Sequence, residues 1–170
     1  SYPVVFFFHG AGGNGQGWLN NRPEVKNLID QENFIGIFPD GFENRWNVGT
    51  ETNADDVEFI SLIVNEFSSN ELFNVDKIYE VGTSNGAGLA NKIGKETTIF
   101  KGIAPLISQQ TEEIGAIVPS SPMSVFQVGG TEDGLVPING GNGVAGHVFM
   151  SAAESAENWA SNFTCNMNPT

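Results

Sequence analysis

The chain has 170 residues, 39% of them hydrophobic, with 7 Lys and Arg against 20 Asp and Glu for a formal net charge of −13. That length suits a single domain with a substantial core, and the acidic balance argues against nucleic acid and anionic membranes as partners while fitting a neutral substrate. No apolar run approaches the ~20 residues of a membrane span, and thirteen Phe against two Tyr point to dry packing surfaces.

Residue 1 is Ser, and the apolar run Pro3–Phe8 follows almost at once, which reads as a cut end with any signal peptide outside it. The run itself is what a strand covered on both faces of a parallel sheet requires. His9-Gly10-Ala11-Gly12-Gly13-Asn14-Gly15 then admits two readings. In one, Gly10, Gly12 and Gly15 fit G-x-G-x-x-G, and Asp40, after the strand Phe34–Phe38, is the ribose-binding acid of a dinucleotide fold. That reading needs the third glycine to open a helix. The first helix is expected only over Pro23–Gln31, with Pro23 in its first turn, so neither NAD nor FAD binding is expected. In the other reading, the loop exposes backbone N–H groups beside a nucleophile. Ala11, together with Gly12, supplies the second oxyanion donor, and His9 and Gly10 shape the turn.

Pro39-Asp40-Gly41 is a turn, and the loop after it carries Trp46, which either lines a substrate cleft or fills the loop's own core. Asp55 reads as an N-cap with Glu58 completing a capping box, and Val57, Ile60, Val64 and Phe67 mark one face of a helix to about Ser68. The adjacent Asp55 and Asp56 are helix-start acids rather than a metal or acid–base pair.

The stretch Ile78–Gly88, I-Y-E-V-G-T-S-N-G-A-G, organises the rest. A β-favouring run leads into Gly82-Thr83-Ser84-Asn85-Gly86, which fits G-x-S-x-G, and a small-residue helix follows. A serine at a sharp strand-to-helix turn is lifted above the sheet edge, and the flanking glycines keep neighbouring side chains off the turn. The N–H of Asn85 points at the atom under attack. Alone the motif is weak in a chain with 21 glycines, where its bland alternative is a glycine-rich turn; its placement strengthens it.

Further on, Phe100–Ile107 and Met123–Val128 read as buried strands, the second running into Gly129-Gly130-Thr131-Glu132-Asp133-Gly134. Asp133, one loop past a strand edge, stands where an orienting acid belongs. Residues 139–146 read as a glycine- and asparagine-rich loop, and Ser151 with Glu154 caps a last helix with Ala152, Ala156, Trp159 and Phe163 on one face. Cys165 is the single cysteine, either a free buried thiol or half of a disulfide with a partner past residue 170; Asn162-Phe163-Thr164 fits a glycosylation acceptor. Strands alternate with helices throughout, and the chemical groups fall in strand-to-helix loops. That predicts an α/β architecture, an open, mostly parallel sheet with helices on both faces and its site at the carboxyl edge. No metal-ligand cluster is seen.

In order, P-V-V-F-F-F-H-G-A-G-G-N-G, F-P-D-G, W-N-V-G, D-D-V-E-F-I, I-Y-E-V-G-T-S-N-G-A-G, G-G-T-E-D-G-L-V-P and W-A-S-N-F-T-C give the chain a resemblance to the polyhydroxybutyrate depolymerase and feruloyl/acetylxylan esterase group of α/β-hydrolases. It spans nearly the whole chain. The resemblance implies Ser84 as nucleophile, Asp133 as triad acid, and an oxyanion hole from the Ala11 and Asn85 amides. It also implies a secreted enzyme without cofactor. Members of the group usually carry His-Gly where Gly129-Gly130 stands, and their triad histidine, which follows the Trp…Cys segment, has no match here. The expectation is therefore a hydrolase domain lacking its final strand and histidine loop. It would cleave polyester or plant cell-wall esters through an acyl-serine. A serine peptidase of the same fold and a non-catalytic binding module are the alternatives. Of the two histidines, His9 is assigned to the oxyanion turn and His147 to a flexible loop that holds a base poorly, so the base is expected past Thr170.

Overall fold

The computed structural model describes residues 1–166. β1 (Tyr2–Phe8), β2 (Ile35–Ile37), β3 (Phe73–Thr83), β4 (Gly102–Leu106) and β5 (Ser124–Val125) form one sheet in the order β2-β1-β3-β4-β5, every pair parallel. Alternate residues of β1 serve opposite faces. Phe6 and Phe8 join a buried cluster with Ile60 of α3 (Asp56–Phe67), Leu89 and Ile93 of α4 (Asn85–Glu96), and Phe100. Phe6 and Phe100 meet edge to face at 5.5 Å. On the other face, Phe7 stacks on Phe38 at 4.8 Å and packs against Trp18 of α1 (Gly15–Asn20), with α2 (Pro23–Asp30) alongside. Helices thus cover both faces, as expected.

The chain leaves β1 for β2 on one side and returns to β3 on the other. The order reverses between β1 and β3, and a crevice opens past their carboxyl ends, which is where open parallel sheets bind ligands.

The helix after the glycine loop departs from expectation. Gly15 does open one, α1, capped by Asn14, whose Oδ1 accepts from Gly17 N at 2.6 Å. Six residues with no apolar repeat gave no periodic signal; the cap was the available cue. The ground on which dinucleotide binding was set aside therefore fails, but a better one replaces it. Asp40 Oδ1 accepts from Gly15 N at 2.7 Å, so a carboxylate already occupies the helix start that a pyrophosphate would need.

The later strands are shorter than the apolar runs that announced them. β5 has two residues, and beyond it Val128 makes a single bridge to Leu106. The expected loop over 139–146 instead contributes to a small antiparallel hairpin, β6 (Gly141–Asn142) and β7 (Val148–Phe149). Backbone bonds hold it, Gly143 N donating to His147 O at 2.9 Å, so its side chains carried no strand pattern. α5 (Glu112–Gly115) and α6 (Ala152–Asn162) complete the order, the latter with the full Ser151–Glu154 capping box. No helix among the described residues is long and apolar enough to cross a membrane.

Candidate active site

Ser84 joins β3 to α4 with φ 53° and ψ −117°. Left-handed backbone at a residue with a Cβ costs about 1–3 kcal/mol and persists only where the surroundings impose it. Here they do. Ser84 N donates to Leu106 O at 3.0 Å, and the Ala87 and Gly88 amides close onto Ser84 O. A Cβ on Gly82 would lie 2.2 Å from Gly86 O, and one on Gly86 would lie 2.4 Å from Phe8 O. Both motif glycines are therefore sites of backbone-to-backbone contact, as the spacing suggested. The bare Cα of Gly88 faces the Val48 side chain of the neighbouring loop.

The loop after β1 runs beside this turn, Gly10 being close enough that a Cβ there would touch Ser84 Cβ at 3.4 Å. Gly12 N donates to Asn44 O and Gly13 N to Gly10 O. The Ala11 amide is not used in these turns, and the Asn85 amide, at the first position of α4, has no acceptor within its helix. Ala11, Ser84 and Asn85 line one cavity of about 270 Å³.

His9 is buried and fully engaged. Its Nε2 accepts from Gly41 N at 3.0 Å, which leaves Nδ1 to donate to Gly10 O at 2.8 Å. Both ring nitrogens are spent on the loop, so His9 is no base. Trp46 corrects the other cleft candidate. It is buried, its indole N–H donating to His9 O at 2.8 Å and its ring 4.9 Å from the imidazole. It braces the loop after β1 and does not line the cavity. Asn85 reinforces the same support in a way the sequence did not reveal. Its side chain accepts from Trp46 N at 2.7 Å and donates to Trp46 O at 2.9 Å.

Asp55 caps α3 by accepting from Glu58 N. Asp56 is buried and accepts from Asn47 N at 2.6 Å; burial is the main reason its carboxyl sits above its ordinary value. Both acids are structural.

Asp133 lies past β5, partly exposed, its Oδ1 accepting from Val136 N at 2.9 Å and Leu135 N at 2.8 Å. These bonds, Val136's first, hold the carboxyl below its ordinary value. Neither histidine meets it. His147 instead bonds through Nε2 to Glu51 Oε1 at 2.6 Å, and both residues line the cavity that holds Ser84. His147 is therefore not adrift in a loop: it follows a turn of 3₁₀ helix at the tip of the hairpin, and β6 lies between it and Asp133. Glu51 was missed in sequence, because a lone acid in a polar loop carries no pattern. Cys165 is free and exposed rather than buried.

A parallel sheet wound in this order, with a serine in left-handed backbone between its central strand and the next helix, defines the α/β-hydrolase fold. Comparison with solved structures agrees. A phospholipase/carboxylesterase from Dyadobacter fermentans superposes with a TM-score of 0.65 at 17% identity, over 99% of this chain and 82% of that one. No family model matches the chain. Among curated proteins it is similar to feruloyl esterase B of Piromyces equi, 29% identical over 180 residues, or 98% of this chain and 33% of the relative. It is also similar to "Probable feruloyl esterase C" of Aspergillus clavatus, 26% identical over 150 residues, or 85% of this chain and 53% of the relative. The chain spans between a third and about half of the curated relatives it matches.

Proposed function

We propose that this chain carries the nucleophile half of a carboxylic-ester hydrolase that works through an acyl-serine on Ser84. The observation behind the reading is the Ser84 turn itself, a strained serine at the wall of a cavity that Ala11 and Asn85 also line. Ser84 Oγ attacks the acyl carbon as a base takes its proton, and the Ala11 and Asn85 amides receive the negative charge that forms on the carbonyl oxygen. Collapse expels the alcohol, which takes the proton back, and water then releases the acid by the same route. Asp133, kept anionic by its two backbone donors, orients the base and stabilises its charged form. With His9 spent on its loop and neither histidine bonded to Asp133, the base in this reading is a histidine outside these 170 residues. The chemistry requires no cofactor.

Similarity to feruloyl esterases favours feruloyl-type esters of plant cell walls as substrates and a secreted protein. The polyhydroxybutyrate and acetylxylan alternatives rest on motif resemblance alone. A fluorophosphonate probe tests the mechanism directly: the full-length protein should be labelled at Ser84. A folded protein that resists the probe would instead be a binding module on a hydrolase fold.

A further inference from the structure

The Glu51–His147 pair is unused by the reaction just described, and its construction exceeds what tethering two loops needs. Glu51 Oε2 accepts from three successive backbone amides, Val48 at 3.0 Å, Gly49 at 2.8 Å and Thr50 at 3.1 Å. Burial pushes the Glu51 carboxyl up, but the His147 bond and the backbone donors outweigh it and hold the group below its ordinary value. An anionic Oε1 fixes the imidazole tautomer, since Nε2 must carry the proton it donates. In the neutral ring Nδ1 is then a bare acceptor, and it has no partner among the described residues. Gly49 lets the ring lie close: a Cβ there would stand 3.2 Å from His147 Cε1. The edge of Phe149 packs on the ring at 5.9 Å.

The cavity that His147 and Glu51 share with Ser84 is mostly apolar, with Val48, Val136, Val144 and Phe149 among its lining residues. Arg45 also lines it, and Glu113 lies close behind Gly49. An oriented acceptor in such a wall discriminates strongly, because a substrate group that leaves it unpaired forfeits the bond and pays for desolvating it.

We propose that the Glu51–His147 pair is a recognition subsite in which His147 Nδ1 accepts a hydrogen bond from a hydroxyl group of the ester substrate. His147 is the contact, and Glu51 is a positioning residue that sets its tautomer. The proposal rests on the ester-hydrolase reading and names its substrate class: esters carrying a free hydroxyl on the acyl or the alcohol side.

The test uses the full-length protein at pH 8 and two matched pairs of esters. Methyl 4-hydroxycinnamate against methyl 4-methoxycinnamate probes the acyl side, and 2-hydroxyethyl acetate against 2-methoxyethyl acetate the alcohol side. Wild type should prefer the hydroxyl member of one pair by about tenfold or more in kcat/KM, mainly through KM. His147→Phe, which keeps ring volume, should bring that ratio to near one, and Glu51→Gln should lower it part-way. Circular dichroism checks folding, and Glu51→Gln carries the test should His147→Phe fail to fold. No preference in wild type, or a preference that survives in a folded variant, overturns the subsite. So does a thousands-fold fall in kcat on every ester, which would make His147 the base. A wild-type protein that neither turns over any ester nor reacts with fluorophosphonate would sink the hydrolase reading instead.

Discussion

Ser84 and Asp133 both stand at the carboxyl edge of the sheet, yet they are held by different means. The serine ends a strand of 11 residues that pairs on both sides, and its flanking glycines press backbone on backbone. The aspartate follows a strand of two residues, and its carboxylate is fixed by two amides of its own loop. The Ser84 turn is wedged against core backbone, whereas the Asp133 loop is braced mainly by its own amides. A hydrolase needs the first kind of placement for the group that must meet the carbonyl carbon at bonding distance, and the second suffices for a charge that acts through another side chain.

The comparison is broken most forcefully at Ser84 itself. In the full-length protein Ser84→Ala should cut kcat for p-nitrophenyl acetate by at least about 10⁴-fold, about 5.5 kcal/mol of barrier. The melting temperature should stay nearly unchanged, since alanine keeps the Cβ that the turn already accommodates. Most of the activity surviving in the folded variant would remove Ser84 as nucleophile.

Two residues further on, Gly86→Ala places a methyl 2.4 Å from Phe8 O, with no flexible side chain to give way. The loss expected is about 3 kcal/mol of stability or more, read from denaturant midpoints. A loss below about 1 kcal/mol would mean that the close approach of α4 to β1 is not a constraint.

These two positions explain what could be read from sequence and what could not. The turn was legible because its demands are local and exclusive: a strand, two glycines at fixed offsets, a serine and small residues. β1 was legible as an unbroken apolar run, and the helix carrying Val57, Ile60 and Val64 by its single period. Trp46 was ambiguous because only tertiary contact decides whether an aromatic faces a cleft or a loop core. α1 offered only its Asn cap as a cue, its other support being a bond from Gly15 to Asp40, 25 residues away. Glu51 and His147 are 96 residues apart and meet only when the hairpin folds over the loop. Pairs made by topology leave no mark in spacing.

Glu80 sharpens the account of the sheet, since it breaks the apolar pattern of β3. It is buried, and neither carboxylate oxygen has a partner. Burial drives its carboxyl well above the ordinary value. The folded state therefore holds a proton that the unfolded state gives up, and stability is lost as pH rises from about 4.5, the ordinary value. Glu80→Leu should raise stability at pH 7 by about 1–3 kcal/mol and flatten this decline. An unfolding midpoint that falls at pH 7 would show that Glu80 has a partner in solution.

The smallest effect is expected on the acid side, and it completes the contrast with Gly86. Gly134 follows Asp133 directly, is exposed, and would bring an added Cβ within 4 Å of nothing. Its φ is outside the left-handed region, so alanine fits the existing backbone. What changes is the unfolded chain, which has fewer conformations to lose, and Gly134→Ala should stabilise the protein by about 0.5 kcal/mol. The Asp133 bonds to Leu135 N and Val136 N span this residue without using its missing side chain, so kcat should stay within about twofold. A destabilisation above about 1.5 kcal/mol, or a tenfold fall in kcat in the folded variant, would show that the acid loop is as tightly determined as the serine turn. The difference drawn between the two sides of the cleft would then fail.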